Sequence, residues 1–203
     1  NNQANRKEYQ PTQRYSLKSS ESENIMLRAL KVDASYEYQA TPLLDPSAYL
    51  MAKWEDWEQH QLLPGQISIY NQGLFVGNIH ANFNEEADSL YISLGKDPQI
   101  SVERQRQFNK ESKSFLGSDK ILEYEYKVNL ANRKQQPIRI RIFDQVPISQ
   151  NESITIKSDL DSDAKFNTKT GTITWDLNLN SKEEKSLEFS YEIRYPKDSS
   201  INW

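Results

Sequence analysis

The sequence predicts an all-β protein built from antiparallel β-sandwich units. In several separate segments apolar side chains recur at every second position, which is the period of a strand with one buried face. Turn signals rich in Gly, Pro and Asn separate these segments at intervals of roughly 8–12 residues. No window carries the 3.6-residue period of a long amphipathic helix. These observations together favour a sandwich or a barrel.

The clearest alternation lies in the second half of the chain, at residues 121–130. One face of this segment carries Leu122, Tyr124, Tyr126, Val128 and Leu130. Four further segments repeat the pattern, at residues 138–142, 154–156, 171–179 and 186–195. The stretch from 98 to 196 therefore holds six or seven strands. That number matches an immunoglobulin-like domain, although the Cys–Trp–Cys signature of true immunoglobulin domains is absent.

The first half is also strand-like, with about six predicted strands. Asn71 and Gly73 bound a turn between two short apolar alternations, which predicts a β-hairpin. Alternation is also present at residues 36–38 and 90–94, and residues 25–32 are apolar enough for a strand. We expect a boundary near residues 95–98. The predicted organisation is a polar linker (1–14), an N-terminal β unit (15–97) and an immunoglobulin-like β-sandwich (98–203).

Composition narrows the class of protein. The chain has 203 residues with a formal net charge of −4. This charge argues against a surface that binds the phosphates of a nucleic acid. It contains no Cys, which excludes disulfides and thiolate chemistry. No apolar run is long enough for a transmembrane helix. Residues 1–14 lack the apolar core of a signal peptide, so we expect none within this chain.

No catalytic apparatus is recognisable, so we expect a protein that is not an enzyme and needs no cofactor. The two histidines, His60 and His80, lie in different segments without a motif. There is no nucleophile elbow, and six glycines leave little material for a phosphate loop. Asp144 is the one carboxylate that stands out, because it follows the apolar pair at 142–143. The position of Asp144 fits two roles, that of a catalytic acid and that of a residue that caps a turn.

Two sets of residues are candidate binding sites. Trp54 and Trp57 suit either core packing or a platform that stacks on sugars or anchors a partner. The second set, Asp159, Asp161 and Asp163, has carboxylates at alternate positions, as at the start of a calcium loop. The Gly and Glu that an EF-hand needs later in its loop are missing. The alternatives for this set are a solvated loop and a calcium site of another kind.

Eight short motifs, in order from about residue 15 to the end, resemble the C-terminal region of the mucoidy inhibitor A-like bacterial proteins. They lie at residues 44–50, 57, 62–65 with 75–77, 90–97, 115–118, 144–149, 170–175 and 195–198. The resemblance implies a β-rich domain of unknown function. It also implies an exported envelope protein of which this chain is a C-terminal fragment. It carries over no catalytic residue.

The resulting hypothesis is a non-catalytic β module of the bacterial cell envelope, in the periplasm or secreted, that serves protein–protein interaction or assembly. We expect its binding surfaces in loops, at residues 54–63 and 108–118, because sandwiches often bind through loops or edge strands. The alternative is a carbohydrate-binding module or carbohydrate-active enzyme with a polysaccharide ligand. A third reading is a β module stabilised by calcium.

Overall fold

The computed structural model describes residues 28–60, 62, 64–71, 73–81, 88–113 and 119–198. The chain divides into two compact units, Asn1–Asp33 and Ala34–Trp203. Of the first unit only residues 28–33 are described, and they form no strand. The strand predicted at 25–32 is therefore absent from its described part. The predicted linker at 1–14 lies outside the described residues.

The second unit is built from strands, which confirms the all-β prediction. A 3-10 helix, Trp57–His60, is its one helical turn within the described residues. The part of the unit that the structure describes forms eleven strands: β1 (Ser35–Thr41), β2 (Asp45–Glu55), β3 (Gly65–Asn71), β4 (Leu74–Ala81), β5 (Ser89–Lys113), β6 (Asp119–Asn132), β7 (Ile138–Gln145), β8 (Thr155–Leu160), β9 (Lys165–Asn167), β10 (Thr172–Leu179) and β11 (Glu184–Pro196).

Nine of these strands form one sheet in the order β8-β11-β6-β5-β2-β1-β7-β10-β9. The other two, β3 and β4, pair only with each other, as the predicted hairpin. All neighbours in the large sheet are antiparallel except β1 and β7, which run parallel with Tyr38 opposite Ile140. The sheet is therefore mixed and not purely antiparallel. Strand β1 pairs antiparallel with its sequence neighbour β2 on one side and parallel with the distant strand β7 on the other.

The large sheet folds over so that its two ends face each other across one core. The turn at 161–164 joins β8 to β9, although these strands lie at opposite ends of the sheet. The ring centroids of Trp175 on β10 and Phe189 on β11 are 6.0 Å apart. The largest fully buried side chains come from β6, β7, β10, β11 and the segment after β7: Val128, Leu130, Asn132, Ile140, Ile142, Val146, Ile173, Trp175, Leu179, Leu187 and Ile193.

The division expected at residues 95–98 differs from the structure, since these residues lie inside β5. The first part of β5 pairs with β2 and the later part with β6, so strands of both expected units share a sheet. Gly95 adopts a φ of 106°, where the register with β2 shifts between Tyr49 and Met51. The turn-like residues therefore mark a β-bulge within a long strand.

Among the described glycines, Gly171, directly before β10, is the one whose replacement the fold tolerates least. Its φ of 73° lies in the left-handed region, and its carbonyl accepts a hydrogen bond of 2.9 Å from the Val146 N–H. A Cβ at this position would lie 2.1 Å from the Val146 carbonyl oxygen. The close approach of the two backbones is therefore possible only without a side chain.

We expect Gly171→Ala to destabilise the protein strongly, by the cost of a left-handed residue (about 1–2 kcal/mol) and by a backbone clash. The matched control is Gly95→Ala, which also has a positive φ but meets no atom within 4 Å. The free energies of unfolding from urea titrations give the comparison. Equal losses of free energy of unfolding in the two variants would show that the clash with Val146 adds nothing to the destabilisation.

Candidate functional site

Asp144, the carboxylate that the sequence leaves open, is part of a buried ion pair. Arg104 Nε donates to Asp144 Oδ2 at 2.8 Å, and Arg104 Nη2 donates to Asp144 Oδ1 at 3.3 Å. The Gln145 backbone N–H donates to Oδ1 at 2.7 Å. The Asp144 side chain has no solvent exposure. Both oxygens are thus occupied by the protein itself, which supports a structural role for Asp144 rather than that of a catalytic acid.

The guanidinium of Arg104 also lies over aromatic rings. Its Cζ is 3.8 Å from the centroid of Tyr126 and 5.6 Å from that of Phe189. These two rings stack on each other at 5.2 Å, and the Tyr126 hydroxyl lies 3.4 Å from that of Tyr191. Burial raises the pKa of Tyr191, which keeps its hydroxyl neutral. Asp144 thus neutralises the arginine, and the aromatic side chains cover it.

A second polar cluster ties β1, β5 and the turn after β6 together. The Tyr38 hydroxyl donates to Asp97 Oδ2 at 2.8 Å, and Lys134 Nζ lies 2.5 Å from the same oxygen. Burial opposes the charge of Asp97, but the hydrogen bonds from Lys134, the Gln99 backbone and Tyr38 outweigh it and lower the pKa of Asp97. Burial raises the pKa of Tyr38, which is therefore not poised to act as a base.

Both tryptophans proposed as a platform are buried. Trp54, on β2, is 7% exposed, and Trp57, at the start of the 3-10 helix, is 5% exposed. The Trp54 ring lies 5.1 Å from that of His60, at an interplanar angle of 50°. Asp56 between them has a φ of 54°, in the left-handed region, at the point where β2 ends and the 3-10 helix follows. Of the two sequence readings, the structure favours core packing.

The three aspartates proposed for calcium do not converge. Asp159 lies on β8, whereas Asp161 accepts a hydrogen bond of 2.8 Å from Trp175 Nε1, and Asp163 pairs with Lys185 at 3.3 Å. Within the described part of the chain, no group of three His, Asp or Glu side chains is placed to hold a metal ion. The alternation that suggested a metal loop reflects strand β8 and the turn that follows it.

The loops predicted as binding surfaces are also mostly regular structure. Residues 54–60 are the end of β2 and the 3-10 helix, and 61 and 63 lie outside the described residues. The backbone of 108–113 continues β5, and 114–118 lie outside the described residues. Neither segment supplies an exposed apolar surface among its described side chains.

An exposed apolar surface occurs instead at the end of the β3–β4 hairpin. Tyr70 is 58% exposed, Leu74 is 74% exposed and Phe75 is 56% exposed. Tyr70 and Phe75 face each other across the hairpin, with ring centroids 5.5 Å apart in an edge-to-face arrangement. We call these three side chains the hairpin tip. Leu74 precedes Phe75 on β4 and therefore lies on the opposite face of the hairpin. Exposed aromatic and aliphatic side chains grouped at one end of an element are typical of an interaction site.

The sequence around the hairpin tip carries no charge. Residues 59–84 contain no Lys, Arg, Asp or Glu, although 27% of the chain is charged. Sequence reasoning predicted the hairpin but missed this feature, which is visible without a structure. Depletion of charged residues together with enrichment in Tyr and Phe marks the centre of protein–protein interfaces. The hairpin tip is therefore the candidate functional site.

The family model described as "Domain of unknown function (DUF4139)" matches residues 1–197. This chain belongs to the DUF4139 family. The match is consistent with the family resemblance described above, but it is to the domain as a whole and does not name a relative. No curated protein matches the DUF4139 chain. No helix in the described ranges of this DUF4139 domain is long and apolar enough to cross a membrane.

In the DUF4139 domain we expect Asp144→Ala to cost about 3–5 kcal/mol, because it leaves the charge of Arg104 buried and unpaired. Adding Arg104→Met removes that charge, so the double variant regains part of the lost free energy of unfolding. Urea titrations of the wild type, both single variants and the double variant measure this coupling. A double variant less stable than Asp144→Ala would contradict the ion-pair interpretation.

We also expect Asp97 to contribute stability that depends on pH. Because the folded state lowers its pKa, its contribution is complete above the unfolded value, about 3.9, and is lost as the pH falls toward the folded value. The difference in free energy of unfolding between the wild type and Asp97→Asn should thus shrink below about pH 4. Glu152→Gln, on an exposed loop, is the control. A difference that stays constant down to pH 3 would exclude this role.

Proposed function

We propose that this DUF4139 domain is a non-catalytic module that binds another protein through the hairpin tip. The observation that carries the proposal is the exposure of three large apolar side chains on a hairpin without charges. Because β3 and β4 do not join the large sheet, the hairpin is a separate two-stranded element. An isolated two-stranded hairpin is marginally stable in water, so contact with a partner stabilises it.

The absence of charge also indicates the chemistry of the partner. A partner surface rich in Lys, Arg, Asp or Glu would lose its hydration against the hairpin tip without gaining an ion pair. The tip therefore fits an uncharged, apolar docking surface on a protein. Binding to an anionic membrane is less well supported, because the segment lacks the basic residues that attract such membranes.

Carbohydrate binding has less support than protein binding. Its candidate platform was Trp54 with Trp57, and both side chains are buried. The ion pair with Arg104 occupies the carboxylate of Asp144, which was the candidate acid of a carbohydrate-active enzyme. We therefore also propose that the domain is not an enzyme.

We also propose the finer relationship, to the mucoidy inhibitor A-like proteins, and with it a place in the cell envelope. The support is the ordered set of motifs from residue 44 to residue 198. Fractionation of cells that express the protein from its complete gene tests the location. Recovery in the cytosolic fraction alone would overturn the envelope proposal without affecting the hairpin tip.

The hairpin proposal predicts that replacing Tyr70, Leu74 and Phe75 by Ser abolishes binding, with at least a tenfold loss of the recovered partner. The matched control replaces Tyr36, Leu43 and Leu44 by Ser, which are also exposed and apolar but lie on β1 and the turn after it. Quantitative crosslinking in an envelope extract, with the wild type and both variants, gives the comparison.

Three results would overturn the proposal. One is a partner recovered equally well with the tip variant, and another is a partner lost equally with both variants. The third is binding to anionic lipid vesicles that the tip variant abolishes, which would make the tip a membrane contact. Thermal unfolding of the tip variant should stay close to that of the wild type, because the three side chains lie on the separate hairpin and outside the core of the large sheet.

A further inference from the structure

Strand β8 forms one end of the large sheet and has a free edge. It pairs on one side with β11, from Thr155 opposite Arg194 to Leu160 opposite Phe189. The peptide groups along its other side have no partner strand among the described residues. Such an edge is a template for pairing with another strand.

The sequence of β8 is complementary to itself when it is read in the opposite direction about Ser158. In an antiparallel pair of two copies centred there, Lys157 lies opposite Asp159 of the second copy, and Ile156 lies opposite Leu160. By symmetry each of these pairs occurs twice. Opposite charges and apolar pairs across strands are both stabilising.

The two faces of β8 also match in this register. Ile156 and Leu160 are partly buried and pack against the core, whereas Lys157 and Asp159 are exposed. Pairing about Ser158 sets core-facing residues against core-facing residues and exposed residues against exposed residues. The core face of one copy therefore continues into that of the other.

Other registers are disfavoured. A shift by one residue sets the apolar Ile156 against the charged Asp159, because side chains alternate between the faces. A shift of the centre to Lys157 or to Asp159 sets like charges directly opposite each other, which is destabilising. Of these registers, only the one centred on Ser158 places residues of the same face opposite each other and also pairs opposite charges.

The charges of β8 are available for such pairing. Within the described part of the chain, no ion pair involves Lys157 or Asp159, although five other lysines on the large sheet have an acidic partner. Across β11, Lys157 lies opposite Glu192 and Asp159 lies opposite Ser190. Neither pair is an ion pair in the structure, so both charges remain free to meet a second chain.

We propose that two copies of this chain form a symmetric dimer by antiparallel pairing of β8 about Ser158, with two Lys157–Asp159 ion pairs between the copies. A two-fold axis closes this contact, so it yields a dimer and not an open filament. The proposal goes beyond the proposed partner binding, since the hairpin tip takes no part in it and remains free for another protein.

Charge reversal tests the register directly. The variants Lys157→Asp and Asp159→Lys each set like charges opposite each other, so we expect either one to weaken self-association by about tenfold or more. The double variant Lys157→Asp with Asp159→Lys restores opposite charges by symmetry and should restore the dimer. An equal mixture of the two single variants should form a heterodimer.

Sedimentation velocity of the full 203-residue chain over a range of concentrations measures these states. Lys169→Asp, on the exposed turn before β10, is the control for a change of charge alone and should still form dimers. A monomeric wild type at every concentration would overturn the proposal. So would a dimer that persists in both single variants, or one that the hairpin-tip variant abolishes.

Discussion

The buried ion pair between Arg104 and Asp144 is the constraint on which the arrangement of the sheet depends. It joins β5 to β7, which lie on either side of β2 and β1 in the sheet order. A charged pair in an apolar core is tolerated only when every polar atom has a partner, and here the backbone of Gln145 and the ring of Tyr126 complete the set. Any slip of β5 relative to β7 would separate these charges. The pair thus selects one register of the folded sheet.

The strands that the sequence predicts best are those with one buried and one exposed face. In β6, β7, β10 and β11, large apolar residues alternate with polar ones, so the pattern identifies both the strand and its buried face. Strand β2 is missed, because small residues such as Ala48 and Ala52 hold its buried positions. The parallel pairing of β1 with β7 is not predictable in this way, since alternation records which face is buried and not which strand is adjacent.

The candidate site shows the same limit. Aromatic content alone does not distinguish Trp54, which is buried, from Phe75, which is exposed. The difference comes from position, because Trp54 belongs to the large sheet and Phe75 to a separate hairpin. The aspartates illustrate a related limit, as the carboxylate of Asp161 is held by the indole N–H of Trp175 fourteen residues later in the chain. Sequence predicted the hairpin and its turn correctly, and the charge-free stretch around it was the available signal for the candidate site.

The position of β1 between β2 and β7 has a consequence for how the protein is made. Strands β1 and β2 leave the ribosome well before β7, which begins only at Ile138. At a synthesis rate of roughly 5–20 residues per second, one edge of β1 stays unpaired for about 5–20 s until its parallel neighbour β7 has been synthesised. Pairing over so long a separation in sequence is also intrinsically slow. The nascent chain therefore carries an open edge for seconds, and molecular chaperones that shield exposed strands have their greatest opportunity to act at that stage.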